Sequence, residues 1–191
     1  LGGMGVIMLG LLIFSRTVGG GKSLARAELT GPTVSPTGIT FQSTARILWA
    51  VFVAMTLIEF VLLIYLTDLS LFDSLNISMT TIATGGMTPT DAGIGGYDSG
   101  MLELIIIFFM FVSGLNFAAI YLIVIKAQFS EIKDEEMRNY FFIWVTSIAL
   151  ASGFMALAGS SFSESLRDTA FTLTSIITST GYSTADWGSW Q

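Results

Sequence analysis

Two short runs of threonine, serine and glycine are the segments of this sequence best suited to binding an ion. They are residues 82–88, with the sequence IATGGMT, and residues 177–183, with the sequence ITSTGYS. Such residues supply closely spaced carbonyl and hydroxyl oxygens that can replace the water around a cation. Non-helical backbone at membrane depth is tolerated only where it is buried in protein or lines a water-filled cavity. In a membrane protein, the two runs therefore predict two parts of an ion filter.

The composition indicates that this is a membrane protein. Of the residues, 52% are hydrophobic and only 12% are charged, whereas a soluble domain carries about a quarter charged residues. The chain has no cysteine, so it has neither a disulfide framework nor a thiolate metal site. It also has no histidine, which is the commonest metal ligand and general base.

Three stretches are long and apolar enough to cross a bilayer, which takes about 20 residues. Residues 47–66 contain one charge, Glu59, residues 101–125 contain one, Glu103, and residues 139–159 contain none. Residues 1–14 are apolar but short, and we expect them to be the end of a span that begins before this chain. Glu59, inside a span, is either a functional acid or a paired or protonated acid of the bundle interior.

The basic residues predict the orientation of these spans, because loops rich in Lys and Arg stay in the cytoplasm. All basic residues except Arg167 lie on one side of the predicted spans. Both threonine–glycine runs are therefore expected at the outer face. The cytoplasmic set is Arg16, Lys22, Arg26, Arg46, Lys126, Lys133 and Arg138, and the acids of the outer face are Asp68, Asp73, Asp91, Asp98, Glu164, Asp168 and Asp186.

Each run follows a segment that is too short to span the membrane. Residues 71–83 and 166–178 are apolar and rich in hydroxyls, but each has only about 13 residues. A segment of this length between two spans fits a re-entrant pore helix that enters from the outer face. Pro89 and the glycines after it favour a loop that leads back outward.

The two units align with each other at an offset of 95 residues without a gap. Matched tryptophans, aspartates and glycines in one register are harder to obtain by chance than matched apolar residues. We therefore interpret the chain as containing a duplicated helix–pore loop–helix unit. The informative pairs are Trp49 and Trp144, Asp73 and Asp168, Gly86 and Gly181, and Asp91 and Asp186.

These motifs make the sequence similar to the pore-forming, TrkH-type subunits of the Trk/Ktr family of bacterial and archaeal potassium uptake systems. The LGGMG of residues 1–5 resembles the inner-helix signature of the first repeat, and residues 81–88 resemble the second filter. Residues 113–116 resemble a stretch of the second inner helix, and residues 175–186 resemble the third filter. The resemblance implies an all-α membrane protein with four non-identical helix–pore loop–helix units around one potassium-channel-like pore, of which this chain covers the middle.

On this resemblance the chain divides into the end of one unit, one whole unit and part of a third. The inner helix of repeat 1 ends in residues 1–15, and a cytoplasmic loop follows in residues 16–43. Repeat 2 covers residues 44–125, with an outer helix at 44–66, a pore helix at 71–83, a filter at 82–88 and an inner helix at 101–125. A second cytoplasmic loop, residues 126–138, leads to a partial repeat 3 in residues 139–191, with an outer helix at 139–159, a pore helix at 166–178 and a filter at 177–183.

The resemblance also implies which residues bind the ion. Met87 stands where the family often has an aromatic residue, whereas Tyr182 keeps one. Asp91 and Asp186 either attract cations to the outer mouth or brace the loop. The backbone carbonyls expected to face potassium belong to Thr84, Gly85, Gly86, Ser179, Thr180 and Gly181.

The function implied is potassium uptake, so the chain is expected not to be an enzyme and to carry potassium as its transported ion. The resemblance further implies a multi-pass protein of the bacterial or archaeal inner membrane, with the filters facing outside, that forms a homodimer and binds a cytosolic, TrkA-like nucleotide-binding subunit. No basic, aromatic-interleaved patch for nucleic acid is present. The alternatives are an intramembrane aspartyl hydrolase that uses the outer aspartates and a non-conducting structural paralogue.

Overall fold

The computed structural model describes residues 41–115, 135–157 and 161–184, and these ranges contain helices and no strand. The structure of these ranges therefore agrees with the predicted all-α class. Three expected features lie outside the described residues: the inner-helix end at residues 1–15, Asp186 and most of the two cytoplasmic loops. The helices are α1 (Phe41–Leu66), α2 (Leu71–Ile82), α3 (Gly100–Ser113), α4 (Glu135–Leu157) and α5 (Phe162–Ile177), with a short 3-10 turn at Ile94–Tyr97.

Two of these helices are long and apolar enough to cross a membrane, judged by length and composition. They are Leu48–Leu66 within α1 and Met137–Leu157 within α4. Helix α3 is apolar but shorter, and the remainder of the span expected at 101–125 lies outside the described residues.

The starts of the helices follow from local capping. Ser70 precedes α2 in an extended conformation, and its hydroxyl accepts a hydrogen bond from the Asp73 backbone N–H at 3.1 Å. This N-cap satisfies one of the free donors of the first turn, where an acidic residue also interacts favourably with the helix dipole. Helix α5 begins at Phe162, earlier than the expected 166, and Ser161 before it is extended but makes no side-chain hydrogen bond to the first turn.

The longer helices hold the shorter ones in place. Helix α1 packs against α2, and α4 packs against α5, while α3 contacts α1, α2 and α5. Leu63 of α1, Ile77 of α2, Phe109 of α3 and Phe171 of α5 are almost completely buried in one shared core. The ends of α2 and α5 are therefore fixed relative to each other.

Helices α2 and α5 bury hydroxyl side chains as well as apolar ones. Thr81 donates to the Ile77 carbonyl at 2.8 Å, and Thr174 donates to the Ala170 carbonyl at 2.6 Å. Ser and Thr commonly satisfy their hydroxyls in this way inside helices. As a result, these helices can carry polar side chains into the core without leaving those hydroxyl protons unpaired.

Candidate ion-binding loops

Two loops leave α2 and α5 with the same backbone conformation. In loop 1, residues 83–88, Thr84 and Gly86 have φ values of 49° and 61°. In loop 2, residues 178–183, Ser179 and Gly181 have φ values of 56° and 89°. These left-handed conformations are unfavourable for residues with a side chain. Their recurrence at positions 95 apart agrees with the register in which the two runs align in the sequence.

The backbone hydrogen bonds that start each loop also recur at this offset. The Gly85 N–H donates to the Thr80 carbonyl at 2.7 Å, and the Thr180 N–H donates to the Ser175 carbonyl at 2.9 Å. Each bond runs back to the last turn of the preceding helix. The helix end therefore determines where the loop begins.

A hydroxyl at the same helix position holds the far end of each loop. Thr80 Oγ1 lies 2.9 Å from the Met87 carbonyl oxygen, and Ser175 Oγ lies 2.8 Å from the Tyr182 carbonyl oxygen. Ser175 Oγ also accepts a hydrogen bond from the Gly181 N–H at 3.1 Å. Both loops are thus closed onto their own helix by one side chain.

The carbonyl oxygens between these anchor points are free. Within the described parts of the chain, no N–H or O–H donates to the carbonyls of residues 84–86 or 179–181. Carbonyl oxygens that accept no hydrogen bond from the protein are available to coordinate a cation.

The two loops touch at Gly86. A Cβ atom added there would lie 2.0 Å from the Thr180 carbonyl oxygen and 2.9 Å from the Gly181 carbonyl carbon. Gly86 must therefore remain glycine both for its φ and for this close approach. The segments that follow make contact as well, since a Cβ atom on Gly95 would lie 2.4 Å from the Thr184 carbonyl oxygen.

Tyr182 ties loop 2 to the helix that carries loop 1. Its side chain is only 3% exposed. The hydroxyl lies 2.6 Å from Thr80 Oγ1, 3.2 Å from Thr81 Oγ1 and 3.2 Å from the Ile77 carbonyl oxygen, within hydrogen-bond distance of all three. Met87, at the position in loop 1 that corresponds to Tyr182, is 70% exposed. Among the described residues, the aromatic anchor is therefore present in loop 2 only.

An ion pair joins the first turn of α3 to the N-terminal half of α5. Arg167 Nε and Nη2 donate to the two carboxylate oxygens of Glu103 at 2.6 and 2.8 Å. These hydrogen bonds raise the pKa of Arg167 above its ordinary value. The sequence carried a signal for this pair, since Arg167 is the one basic residue on the acidic face, but its partner was not identified.

The outer aspartates divide between described and undescribed parts of the chain. Asp91 is exposed, and it makes no hydrogen bond or ion pair with the residues that the structure describes. Asp186 lies outside those residues. No group of three His, Cys, Asp or Glu side chains in the described ranges could hold a metal ion.

Comparison with known proteins identifies the family. The model of the TrkH family of cation transport proteins matches residues 1–191. The Trk system potassium uptake protein TrkH of Halomonas elongata is 30% identical over 100% of this chain. TrkH of Vibrio parahaemolyticus is 31% identical over 99% of this chain. The chain spans 40% of the length of each of these curated relatives.

The fold is also similar to a known one. A crystal structure of the potassium transporter TrkH from Vibrio parahaemolyticus matches 96% of this chain and 38% of that chain, with a TM-score of 0.76 and 24% identity. The structural likeness supports the same fold, and the full-length match to the family model settles the family. This chain belongs to the TrkH family of cation transport proteins.

Proposed function

We propose that this chain supplies two of the four filter segments of a potassium uptake pore. Loop 1 and loop 2 would each contribute the carbonyl oxygens of three residues, 84–86 and 179–181, to sites on a shared pore axis. Potassium would exchange its water for these oxygens at the outer mouth. The relatives that the chain resembles are named as potassium uptake proteins, and the non-enzymatic character predicted from the sequence fits this family.

The observation that carries this proposal is the equivalence of the two loops. They share positive φ values, the same backbone hydrogen bond and a hydroxyl at the same helix position, and in both three successive carbonyls accept no hydrogen bond from the described residues. A turn that only ends a helix needs none of these shared features beyond a glycine. Two equivalent loops in direct contact through Gly86 are suited to line one path.

The wider assembly follows from family membership and the charge pattern. The apolar helices α1 and α4 would cross the inner membrane of a bacterium or archaeon, with both loops facing outside and the basic loops in the cytoplasm. The whole protein would be a homodimer that binds a cytosolic, TrkA-like nucleotide-binding subunit. Helix α1 with α2 and α3, and α4 with α5, would then be the described parts of repeats 2 and 3.

The experiment is rubidium uptake by the full-length protein in cells that lack their own potassium uptake systems. The unaltered protein should restore growth at low potassium, and Gly181→Ser should abolish uptake or its discrimination against sodium. The reason is that Gly181 has a φ of 89°, which a serine adopts only with strain.

Gly153→Ser is the matched control for this substitution. Gly153 lies within α4, and a Cβ atom there would meet nothing within 4 Å among the described residues. This variant should take up rubidium as the unaltered protein does. Unchanged uptake and discrimination in Gly181→Ser would contradict the assignment of loop 2 as a filter segment.

A further inference from the structure

Thr80 has a side chain that contacts both loops at once. It lies in the last turn of α2 and is partly buried. Its Oγ1 lies 2.9 Å from the Met87 carbonyl oxygen of loop 1 and 2.6 Å from the Tyr182 hydroxyl of loop 2. The hydroxyl of the corresponding residue in α5, Ser175, makes its hydrogen bonds within loop 2. The two units therefore use the same helix position in different ways.

The number of protons available indicates the direction of these hydrogen bonds. Thr80 Oγ1 carries one proton, and three carbonyl oxygens lie within hydrogen-bond distance of it. They belong to Asn76 at 2.8 Å, Met87 at 2.9 Å and Ile77 at 3.2 Å. Carbonyl oxygens only accept, so all three would lose their bond to Thr80 if its proton went to Tyr182. The proton count therefore favours Tyr182 as the donor of the 2.6 Å contact.

The other neighbours of the Tyr182 hydroxyl are poorer acceptors. Thr81 Oγ1 and the Ile77 carbonyl oxygen each lie 3.2 Å away, farther than Thr80 Oγ1. The Ile77 carbonyl also accepts the Thr81 hydroxyl proton at 2.8 Å. The shortest contact, to Thr80, is therefore the favoured destination of the tyrosine proton.

The Met87 carbonyl depends more on Thr80 than the helix carbonyls do. Asn76 and Ile77 lie inside α2, where each carbonyl accepts from the N–H group four residues later. Met87 lies beyond the helix, and within the described ranges no backbone N–H donates to its carbonyl. Its side chain is 70% exposed, whereas Tyr182 is buried. The Thr80 hydroxyl therefore supplies loop 1 with a donor that neither the backbone nor a buried aromatic ring provides.

We propose that Thr80 is a positioning residue for ion discrimination that links the two loops. The Tyr182 hydroxyl donates to Thr80 Oγ1, and Thr80 in turn donates to the Met87 carbonyl. A hydroxyl that accepts a hydrogen bond is also a stronger donor, so each bond strengthens the other. The two bonds form a bridge between the loops that sets their spacing, and neither side-chain oxygen contacts the ion. This inference rests on the proposed function of the loops as filter segments.

The test measures rubidium uptake with and without competing sodium, for equal amounts of the full-length protein in the membrane. Thr80→Val removes the hydroxyl at nearly constant volume. It should lower the rubidium-over-sodium ratio by about fivefold, the effect expected for the loss of one buried hydrogen bond. Thr80→Ser keeps the hydroxyl and should keep the ratio. A role in folding alone would lower the amount of protein and leave the ratio unchanged.

Tyr182→Phe provides an independent measurement, because it removes the donor and keeps the buried ring. It should lower the ratio by a similar factor. The double variant Thr80→Val/Tyr182→Phe should lower it no further than the more severe single variant, because both substitutions break the same bridge.

Thr169→Val is the matched control. Thr169 is a buried threonine of α5 whose hydroxyl donates to the Ser165 carbonyl, four residues earlier, at 2.6 Å. In the described part of the chain this hydroxyl bonds to carbonyls of α5 itself and not to either loop. Thr169→Val should therefore keep the ratio of the unaltered protein.

Four results would overturn the inference. The first is an unaltered ratio in Thr80→Val or, if that variant fails to reach the membrane, in Tyr182→Phe. The second is a fall in Thr80→Ser as large as in Thr80→Val. The third is additive losses in the double variant, and the fourth is an equal fall in Thr169→Val. Absence of rubidium uptake by the unaltered protein would instead overturn the proposed function of the loops, and this inference with it.

Discussion

The contact between the two loops at Gly86 predicts the effect of the smallest possible substitution. Gly86→Ala adds a single methyl group at a position 2.0 Å from the Thr180 carbonyl oxygen. Ordinary van der Waals contact begins at 3.4 Å. The loops must therefore separate by more than about 1 Å, or the Thr180 carbonyl must turn away, before the methyl group fits.

The magnitude follows from two contributions. A φ of 61° at residue 86 costs an alanine about 1–2 kcal/mol. Forcing an extra carbon into a closely packed contact costs about 1–3 kcal/mol more. We expect Gly86→Ala to lower the free energy of unfolding by roughly 2–5 kcal/mol. Because the displaced group is a proposed ion ligand, discrimination between rubidium and sodium should fall as well.

The assay combines thermal unfolding of the purified full-length protein in detergent with rubidium uptake in cells. Gly153→Ala is the matched control, because Gly153 is helical and has open space around its Cα. Alanine is favoured over glycine within a helix by about 1 kcal/mol, so this control should be as stable as the unaltered protein or slightly more stable. Equal behaviour of Gly86→Ala and Gly153→Ala in both assays would refute the close contact between the loops.

Two other substitutions test the supports of loop 2. Ser175→Ala removes the hydroxyl that accepts from the Gly181 N–H and donates to the Tyr182 carbonyl. Discrimination between rubidium and sodium should therefore fall in this variant, and Ser175→Thr should retain part of it. Full discrimination in Ser175→Ala would contradict this role of the hydroxyl. Arg167→Gln leaves the Glu103 carboxylate, which is 7% exposed, without its cation. Because Arg167 itself is partly exposed, this change should lower the free energy of unfolding by only about 1–2 kcal/mol. The double variant Arg167→Gln/Glu103→Gln should recover part of that loss in thermal unfolding. A further loss of stability would contradict the explanation that the unpaired carboxylate destabilises Arg167→Gln.

The sequence predicted the loops better than the contacts between them. Small and hydroxyl residues after a short helix, repeated at a fixed offset, are local signals, and the backbone at Gly86 and Gly181 follows the same course in both copies. The approach of Gly86 to Thr180 is not a local signal, because it depends on how α2 and α5 pack through the shared core. Periodicity cannot report such a contact.

Where the two predicted repeat units differ in sequence, their side chains have different hydrogen-bond partners, which the repeat alone does not predict. Trp49 and Trp144 are equivalent by offset, yet only Trp144 has an acceptor for its indole N–H in the described residues, Thr174 at 2.8 Å. The position in α2 that corresponds to Thr174 is Met79, which has no hydroxyl. The predicted repeat therefore pairs the two tryptophans in sequence but does not predict their hydrogen bonds.

The role of Glu59 was also open at the level of sequence. An acid in an apolar span signals a special environment, but the sequence offered no means to choose between a functional acid and a paired or protonated acid of the bundle interior. Its complete burial comes from the packing of α1 in the helix bundle and is not a local signal.

The central claim is that carbonyl oxygens of both loops bind one transported ion. Its most direct test is anomalous diffraction from crystals of the full-length protein grown with rubidium or thallium. We expect a peak within coordinating distance of carbonyl oxygens of both residues 84–86 and residues 179–181. Peaks near the outer aspartates alone, or an occupied ion path that touches only one of the two loops, would contradict the claim.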